Sequence, residues 1–333
     1  MMKKFLNKPN EIIDETMRGY AQANRKKIRL EEGTHRMLRR NPKEQGKVKL
    51  VVGNGGGHEP CLMGWIGEGM YDMVCLGDFF AAQAGPVFYD AISSIDDGSP
   101  ILLTISNHAG DVMNGNIAYS MCVEDDMEVK KVLFYDDIAT APKGQEEERR
   151  GGAGMLFSIK TAGALAEEGA SLDEVARMWC KARDNTRTLS IALTSWTHPA
   201  TGETMASTPD DLANIGAGVH GEAGPASMPF TNSYTMISKM CDMLVEDQPC
   251  ESGDEIVLLI NGMGATTMME MGIVAQDVEK CLAAKGIKVY DTVAGNFVTT
   301  QEMAGLSLSF LKLDDELKKL WDAPCSSPAY TNK

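Results

Sequence analysis

The chain has 333 residues, of which 43% are hydrophobic and 24% charged, the balance of an ordinary globular protein with room for two domains. Its 32 basic and 47 acidic residues give a net charge of −15. This charge argues against nucleic acid and anionic membranes as partners, because both are polyanions that need a basic surface. The eight cysteines are scattered without a C-x-x-C pair, which disfavours a zinc site, a redox site or a disulfide framework and indicates free thiols in a reducing compartment.

The N-terminal sequence MMKKFLNKPNEIIDE contains no apolar stretch long enough for a signal peptide. No segment elsewhere approaches the ~18 consecutive apolar residues that span a bilayer. We therefore expect a cytoplasmic protein that does not enter the membrane.

Short apolar runs rich in valine, isoleucine and leucine predict strands at 48–52, 101–105, 129–135, 188–193, 256–260, 287–293 and 306–311. Amphipathic segments at 155–168 and 171–183 predict helices between them. The second helix opens on Ser171-Leu-Asp-Glu174, a pattern typical of a capping box whose two side chains satisfy the first backbone donors. Alternating strands and helices of this kind indicate an α/β fold with buried, largely parallel strands.

The boundary between two domains is predicted near 184–187, after the second of these helices and before the strand at 188. It divides the chain into an N-terminal α/β domain, 1–186, and a C-terminal α/β domain, 187–324, with the tail 325–333 packing on the first. Residues 196–232 are rich in glycine, proline and threonine without clear periodicity, and loops of this length are usually functional or disordered. The charged segment 141–152 is expected to form an exposed loop or the start of a helix.

Three of the five histidines lie in turns dense with glycine, and the first of these turns follows the strand at 48–52 directly. In it Gly55, Gly56 and Gly57 precede His58. Successive glycines let a backbone approach a ligand closely and aim N–H groups at its oxygens. A tight turn with a surface histidine explains the same residues equally well, so both interpretations stay open.

The second turn, Ser106-Asn107-His108-Ala109-Gly110-Asp111, follows the strand at 101–105. Asp111 is therefore expected at the C-terminal edge of the sheet, where open α/β sheets bind their ligands. An aspartate at this place is also a favoured helix N-cap, which is the simpler explanation. The side chain of His108 could point toward the site or away from it.

The third turn, 216–224 (GAGVHGEAG), carries His220. It contains a literal G-x-G-x-x-G, but the dinucleotide fingerprint must follow a strand, and the preceding residues DDLANI do not read as one. A G-x-x-x-x-G-K-[ST] phosphate loop is also absent from the sequence. We therefore expect no nucleotide or other cofactor to bind to this chain itself.

Imidazole and carboxylate groups over glycine-rich backbones suit a small polyhydroxylated ligand. A histidine can act there as acid, as base or as a nucleophile toward a carbonyl. A metal site built from histidine and aspartate is the competing interpretation, but no pair of ligands at short spacing supports it. We expect no metal.

Taken together, the motifs resemble the dihydroxyacetone kinase family, and within it the ketose-binding K subunit. The matching stretches are GNGGGHEP at 53–60, N-x-x-GD at 107–111, RRGGAG at 149–154, GAGVHGEAG at 216–224, NGMGAT at 261–266, AGLSLSFLKLDDE at 304–316 and WDAP at 321–324. Their order and spacing agree over nearly the full length. GGGHEP combined with G-x-G-x-H-G-E and WDAP is far more specific than any single glycine motif.

The resemblance implies two α/β domains, each with a central sheet flanked by helices, and a homodimer. It also implies that His220 holds the ketose covalently as a hemiaminal, that His58 hydrogen-bonds the substrate and that Asp111 accepts the proton of the attacking hydroxyl. Further contacts with the sugar are implied for Gly55, Gly56, Gly57, Ser106 and Asn107. The implied activity is that of a glycerone (dihydroxyacetone) kinase in glycerol metabolism.

Family members that use free ATP fuse this module to a nucleotide-binding helical domain, whereas here only residues 325–333 follow the WDAP motif. We therefore expect a separate subunit that is active only with an L-type partner, which would carry Mg²⁺ and ADP or ATP. That nucleotide could be recharged from phosphoenolpyruvate by a phosphotransferase-system protein or could exchange with free ATP.

The family's second motif usually reads Lys-Asn-Tyr-Thr-Gly-Asp, so Ser106 stands where a lysine is expected. A larger and less cationic pocket would fit a four-carbon ketose such as erythrulose, although drift beside an unchanged dihydroxyacetone site explains the serine as well. A ketose-sensing co-activator of a transcription regulator is a second alternative. An oxidoreductase that uses the G-x-G-x-x-G is a distant third.

Overall fold

The computed structural model describes residues 3–31, 33–205 and 208–333. Its helices are α1 (Ile12–Ala23), α2 (Gly85–Ser93), α3 (Ala109–Glu124), α4 (Met155–Glu167), α5 (Leu172–Asp184), α6 (Ser233–Asp247), α7 (Met268–Ala283) and α8 (Asp315–Asp322). Its strands begin with β1 (Ile28–Leu30), β2 (Arg36–Arg39), β3 (Lys49–Gly56), β4 (Met73–Phe79), β5 (Ile101–Ser106), β6 (Val129–Phe134) and β7 (Thr186–Ala192). They continue with β8 (Trp196–Thr197), β9 (Thr204–Met205), β10 (Leu212–Ile215), β11 (Ala226–Pro229), β12 (Glu255–Gly262), β13 (Lys288–Gly295), β14 (Gly305–Lys312), β15 (Cys325–Ser326) and β16 (Thr331–Asn332).

The chain forms two compact units, each built from separate segments. The His58 unit consists of Leu6–Phe134, Leu156–Ala182 and Leu317–Lys333. The His220 unit consists of 3–5, Tyr135–Met155 and Arg183–Glu316. The sequence-based boundary at 186 and 187 treats the domains as consecutive, so it assigns 135–155 differently from this division. The composition of residues 135–155 does not indicate that they fold together with residues much later in the chain.

The His58 unit is organised around a sheet with the strand order β1-β2-β4-β3-β5-β6. The strands β4, β3, β5 and β6 run parallel, as the sequence predicts, while β1 and β2 are antiparallel additions at one edge. Helices α2 and α3 pack their apolar faces on this sheet. The tail joins this unit through paired backbone bonds between Glu68 and Ser326 (3.1 and 2.9 Å) and a bond from Lys27 Nζ to the Ser327 carbonyl (2.5 Å).

The His220 unit is organised around a second sheet, with the strand order β11-β10-β7-β14-β12-β13. Here β12 and β13 are parallel, whereas every other neighbouring pair is antiparallel. The prediction of largely parallel strands is therefore wrong for this unit. The cause is that burial does not depend on strand direction: β12 is an apolar run buried along nearly its whole length, yet it is parallel to β13 and antiparallel to β14.

All seven predicted strands are present, together with several that the sequence reading missed. The capping box is confirmed: the Glu174 carboxylate accepts from the backbone N–H of Ser171 (3.0 Å), and the Ser171 hydroxyl accepts from the N–H of Glu174 (3.4 Å). Residues 212–215 form strand β10, so the statement that no strand precedes the G-x-G-x-x-G is wrong. The turn nevertheless leads into β11 and not into a helix, so it still lacks the helix of a dinucleotide fingerprint.

The segment 141–152 is not simply exposed, because Arg149 is only 1% exposed. Its guanidinium donates to both carboxylate oxygens of Asp247 at 2.8 and 2.6 Å, and Arg187 Nε donates to the same carboxylate at 2.5 Å. These bonds fasten 135–155 to the end of α6 within the His220 unit. In the described ranges, no helix is long and apolar enough to cross a bilayer.

Replacing Asp247 by alanine is expected to destabilise the His220 unit by about 3–5 kcal/mol, because two arginines lose their shared carboxylate and one of them is buried. Urea unfolding followed by fluorescence measures the loss. The matched control is Asp242→Ala on the same helix, where an exposed pair with Lys285 is removed at a cost of about 0–1 kcal/mol. Equal stabilities of the two variants would contradict the structural role of this cluster.

Candidate active site

The first glycine-rich turn carries His58 at the C-terminal end of β3. His58 is 5% exposed, and its ring stacks on Phe80 with centroids 4.4 Å apart and an interplanar angle of 12°. Phe80 has a left-handed backbone, with φ +52°. The interpretation of His58 as a surface histidine is therefore wrong. The stacking contact with Phe80 fixes the orientation of the buried ring.

The glycines of this turn also make room for the segment 77–83 that follows β4. A Cβ on Gly55 would lie 2.9 Å from the backbone nitrogen of Ala81, and one on Gly57 would lie 2.7 Å from the Phe80 ring. The backbone N–H of Phe80 donates to the carbonyl of Gly56 at 2.9 Å. These glycines therefore leave the space that the Phe80 ring and its neighbour Ala81 occupy beside His58. This role was not predicted from the sequence.

The second turn lies beside the first, because β5 is the direct parallel neighbour of β3. Asp111 is the third residue of α3 and is 7% exposed. The N-cap of this helix is His108, with an extended backbone, so the interpretation of Asp111 as the N-cap is wrong. Asp111 thus lies in the first turn of α3, at the positive end of the helix dipole.

Asp111 shares this edge of the sheet with other residues of the first two turns. Burial raises the pKa of the Cys61 thiol, and the negative charges of Glu59 and Asp111 raise it further. Ser106 ends β5 and is 4% exposed, and the backbone N–H of Asn107 donates to the Phe134 carbonyl at 3.0 Å. The residues predicted from the first two motifs thus share one edge of one sheet.

The third turn joins β10 to β11 in the His220 unit. Nδ1 of His220 lies 3.0 Å from Oε1 of Glu222, and the backbone N–H of His220 donates to Oε2 at 3.0 Å. Burial alone would raise the pKa of Glu222, but its hydrogen bonds with His220 and with its own backbone N–H, together with the positive charges of His220 and Arg150, lower it to about 2. An ionised carboxylate only accepts hydrogen bonds, so Nδ1 of His220 is the donor in this bond, and in the Nδ1–H tautomer of the imidazole the lone pair lies on Nε2.

Contacts along the third turn hold its shape. The carbonyl of Val219 accepts from Thr300 Oγ1 at 2.6 Å, and the carbonyl of Ala217 accepts from Ser190 Oγ at 2.5 Å. Gly221 has a φ of +83°, and a Cβ there would collide with the indole of Trp196. The His220 side chain stays 30% exposed, so it is anchored and still reachable.

Arg150, from the RRGGAG motif, connects this turn to the segment after β6. Its Nη2 donates to Asp137 Oδ2 at 2.9 Å and to the Gly216 carbonyl at 3.1 Å, and its Nη1 lies 3.8 Å from Glu222 Oε2. Glu222 and Arg150 are further functional candidates. Both lie within the matching motifs, but no role was predicted for either from the sequence. The only indication of such a role in the sequence is that each is a charged residue next to clustered glycines.

Within the described part of the chain, no group of three histidine, cysteine, aspartate or glutamate side chains is arranged to hold a metal ion. His58, Asp111, Ser106, Asn107 and Gly55–Gly57 belong to one unit, and His220 belongs to the other. That the residues of all three turns form one site stays a prediction.

The sequence profile of the Dak1 domain matches residues 18–329. The chain belongs to the Dak1 family. Among relatives of this Dak1 chain, the dihydroxyacetone-binding subunit DhaK of a PTS-dependent dihydroxyacetone kinase from Listeria innocua is 37% identical over 95% of both chains. A D-erythrulose kinase from Mycolicibacterium smegmatis is 32% identical over 99% of this chain and 56% of its own length.

Solved structures agree with this family. The dihydroxyacetone kinase of C. freundii is similar in its native form and in complex with AMP-PNP and Mg²⁺, with TM-scores of 0.92 and 0.91 and 26% identity. The Dak1 chain is covered completely but spans only 61% of that kinase. The operon co-activator Dha-DhaQ has a TM-score of 0.90 at 25% identity, covering 98% of this chain and 99% of its own. The predicted family and the α/β fold class are confirmed.

Proposed function

We propose that this chain is the substrate-binding subunit of a dihydroxyacetone kinase. It binds a short ketose covalently on His220 and presents the terminal hydroxyl of the sugar for phosphorylation by a partner subunit. The observation that carries this proposal is the bond from His220 Nδ1 to Glu222, which leaves Nε2 as the nucleophilic nitrogen.

The covalent step is an addition without a leaving group. The Nε2 lone pair forms a bond to the carbonyl carbon, the C=O π bond breaks, and the oxygen gains a proton and becomes a hydroxyl. The ring loses its Nδ1 proton through the hydrogen bond to Glu222, the carboxylate passes this proton to solvent water, and solvent water supplies the proton that the oxygen gains. One proton is gained and one is lost, so the hemiaminal is neutral. The bond selects ketones and aldehydes over polyols of similar size and orients the terminal hydroxyl.

In the proposed reaction, His58 hydrogen-bonds the sugar and Asp111 accepts the proton of the hydroxyl that attacks phosphorus. Ser106, Asn107 and the backbone of Gly55–Gly57 provide the remaining contacts. The burial of His58 and Asp111 supports these roles, because a hydrogen bond in a site that excludes water is stronger than one in solvent.

The phosphoryl group is proposed to come from a nucleotide-binding L-type subunit that holds Mg²⁺ and ADP or ATP. A phosphotransferase-system protein would recharge that nucleotide, as the PTS-dependent designation of the Listeria innocua relative suggests. We also propose a homodimer of this chain.

The test uses the full chain and dihydroxyacetone labelled with ¹³C at its carbonyl carbon. The proposal expects a protein-bound tetrahedral carbon signal in place of the carbonyl signal, and sugar phosphate once a nucleotide-loaded L-type subunit is added. Binding without any tetrahedral signal would contradict the covalent step.

Erythrulose is the alternative substrate, favoured by the small Ser106 at the buried end of β5 and by the D-erythrulose kinase among the relatives. If Ser106 enlarges the pocket, Ser106→Lys is expected to reduce kcat/KM for erythrulose at least about tenfold more than for dihydroxyacetone, a difference of ~1.4 kcal/mol. Steady-state kinetics with both sugars and one partner subunit measures it. Wild-type preference for dihydroxyacetone over both erythrulose enantiomers would argue against this alternative.

A sensor that binds ketose and activates a transcription regulator is the second alternative, favoured by the structural similarity to the co-activator. Sensing needs the carbonyl-binding histidine but no catalytic base. The presence of Asp111 beside His58 therefore favours catalysis. Formation of sugar phosphate with a loaded partner distinguishes the two functions.

A further inference from the structure

The RRGGAG motif is not explained by substrate contacts, yet its second arginine reaches the turn that carries His220. We propose that Arg150 is a positioning residue for His220, and that it acts through Glu222 to keep the imidazole proton on Nδ1 and the lone pair on Nε2. The chemical use of that lone pair rests on the proposed function, whereas the position of the proton does not.

Arg150 is held at a fixed place on both sides. Asp137 accepts from Nη2 at 2.9 Å and is itself fixed, because its other oxygen accepts from the backbone N–H of Ala139 at 3.0 Å. The same Nη2 donates at 3.1 Å to the carbonyl of Gly216, the first residue of the turn. The guanidinium therefore ties the start of the turn to the segment 135–155.

From this place Arg150 constrains the Glu222 carboxylate. One carboxylate oxygen, Oε1, accepts from the ring of His220, while Oε2 accepts from its backbone N–H and lies 3.8 Å from Nη1 of Arg150. A carboxylate with both oxygens engaged cannot rotate without losing one of these contacts. The ring therefore meets a fixed, ionised acceptor at Nδ1.

Gly218 gives independent support for this assignment. A Cβ at this position would collide with Oε2 of Glu222 and with Nη1 of Arg150. The backbone φ of Gly218 is not left-handed, so conformational freedom does not require glycine here. Space for the Arg150–Glu222 contact does require it. The contact is partly exposed, so its effect is expected on geometry more than on stability.

The experiment measures the tautomer of His220 in the ligand-free full chain, from long-range ¹H–¹⁵N correlation spectra of the histidine rings. The wild type is expected to hold the Nδ1–H form. Arg150→Met is expected to shift the ring toward Nε2–H and to weaken the adduct with ¹³C-labelled dihydroxyacetone about tenfold, with Arg150→Lys in between because one ammonium cannot keep both anchors. Glu222→Gln is expected to reverse the tautomer, since its amide can donate to Nδ1, and to abolish the adduct.

The matched control is Arg183→Met, which removes another arginine of the same unit, one that pairs with Asp184 and packs on the Tyr135 ring. Its tautomer and adduct should match the wild type. Gly218→Ala keeps both charges and should reproduce the shift of Arg150→Met, so it decides the question if the arginine variant fails to fold. An unchanged tautomer in Arg150→Met and Gly218→Ala, or an equal shift in Arg183→Met, overturns the proposal. Tautomer shifts as expected, with no adduct even in the wild type, would support positioning by Arg150 and contradict the proposed function instead.

Discussion

Replacing His220 by alanine is expected to abolish the tetrahedral carbon signal of bound dihydroxyacetone and to weaken ketose binding by at least about 100-fold, or ~2.7 kcal/mol. A sugar with three carbons buries little surface, so noncovalent contacts alone supply little affinity, and the covalent bond supplies the rest. The fold should be unaffected, because the His220 side chain is partly exposed and does not belong to the buried core.

The measurement is ¹³C spectroscopy of the labelled ketose with the variant, next to a thermal melt of the same sample. His198→Ala is a suitable control. That histidine also lies in an irregular segment of the His220 unit, where its ring accepts from the backbone of Ala200 at 3.2 Å. Persistence of the tetrahedral signal in His220→Ala would assign the covalent bond to another nucleophile.

Replacing Asp111 by asparagine is expected to leave the adduct in place and to reduce the rate of phosphorylation by about 10²–10⁴-fold. The amide has nearly the shape of the carboxylate but cannot accept the proton of the attacking hydroxyl. The loss should appear in kcat, with ketose binding nearly unchanged, because the missing interaction forms only as the hydroxyl reacts.

Steady-state kinetics with a nucleotide-loaded L-type subunit measures this loss, and labelled ketose reports the adduct in the same preparation. Asp125→Asn is the control at the opposite end of α3, where the aspartate is the C-cap and accepts from the hydroxyl of Tyr89. Turnover of Asp111→Asn near the wild-type rate would exclude Asp111 as the base.

The positions of the central strands could be predicted from sequence patterns, but the prediction that they run largely parallel is wrong for the His220 unit. The run at 256–260 is apolar on both faces because it is buried along its whole length, and this burial is the same toward its parallel neighbour β13 and its antiparallel neighbour β14. The short strands 212–215 and 226–229 were missed for a different reason. Each has only four residues, too few to show a periodic pattern, and they are formed by the pairing of β10 with β11 and with β7.

The histidines proposed for the site stand out in the sequence because they lie in glycine clusters, where unusual backbone geometry leaves a recognisable pattern. The groups that orient them could not. Phe80 reaches His58 from the loop after β4, and Arg150 reaches the His220 turn from residues far earlier in the chain. Such contacts depend on tertiary packing, and one charged or aromatic side chain among many gives no local pattern that predicts it.

The division of both units into separated segments has a consequence for synthesis on the ribosome. The His58 unit contains residues 6–134 but also 317–333, whose backbone bonds to Glu68 complete it. At about 5–20 residues per second, roughly 10–40 s separate the emergence of residue 134 from that of the tail. During this interval the nascent His58 unit must wait with part of its apolar surface uncovered, so co-translational protection by chaperones should matter more for this chain than for one whose domains are consecutive.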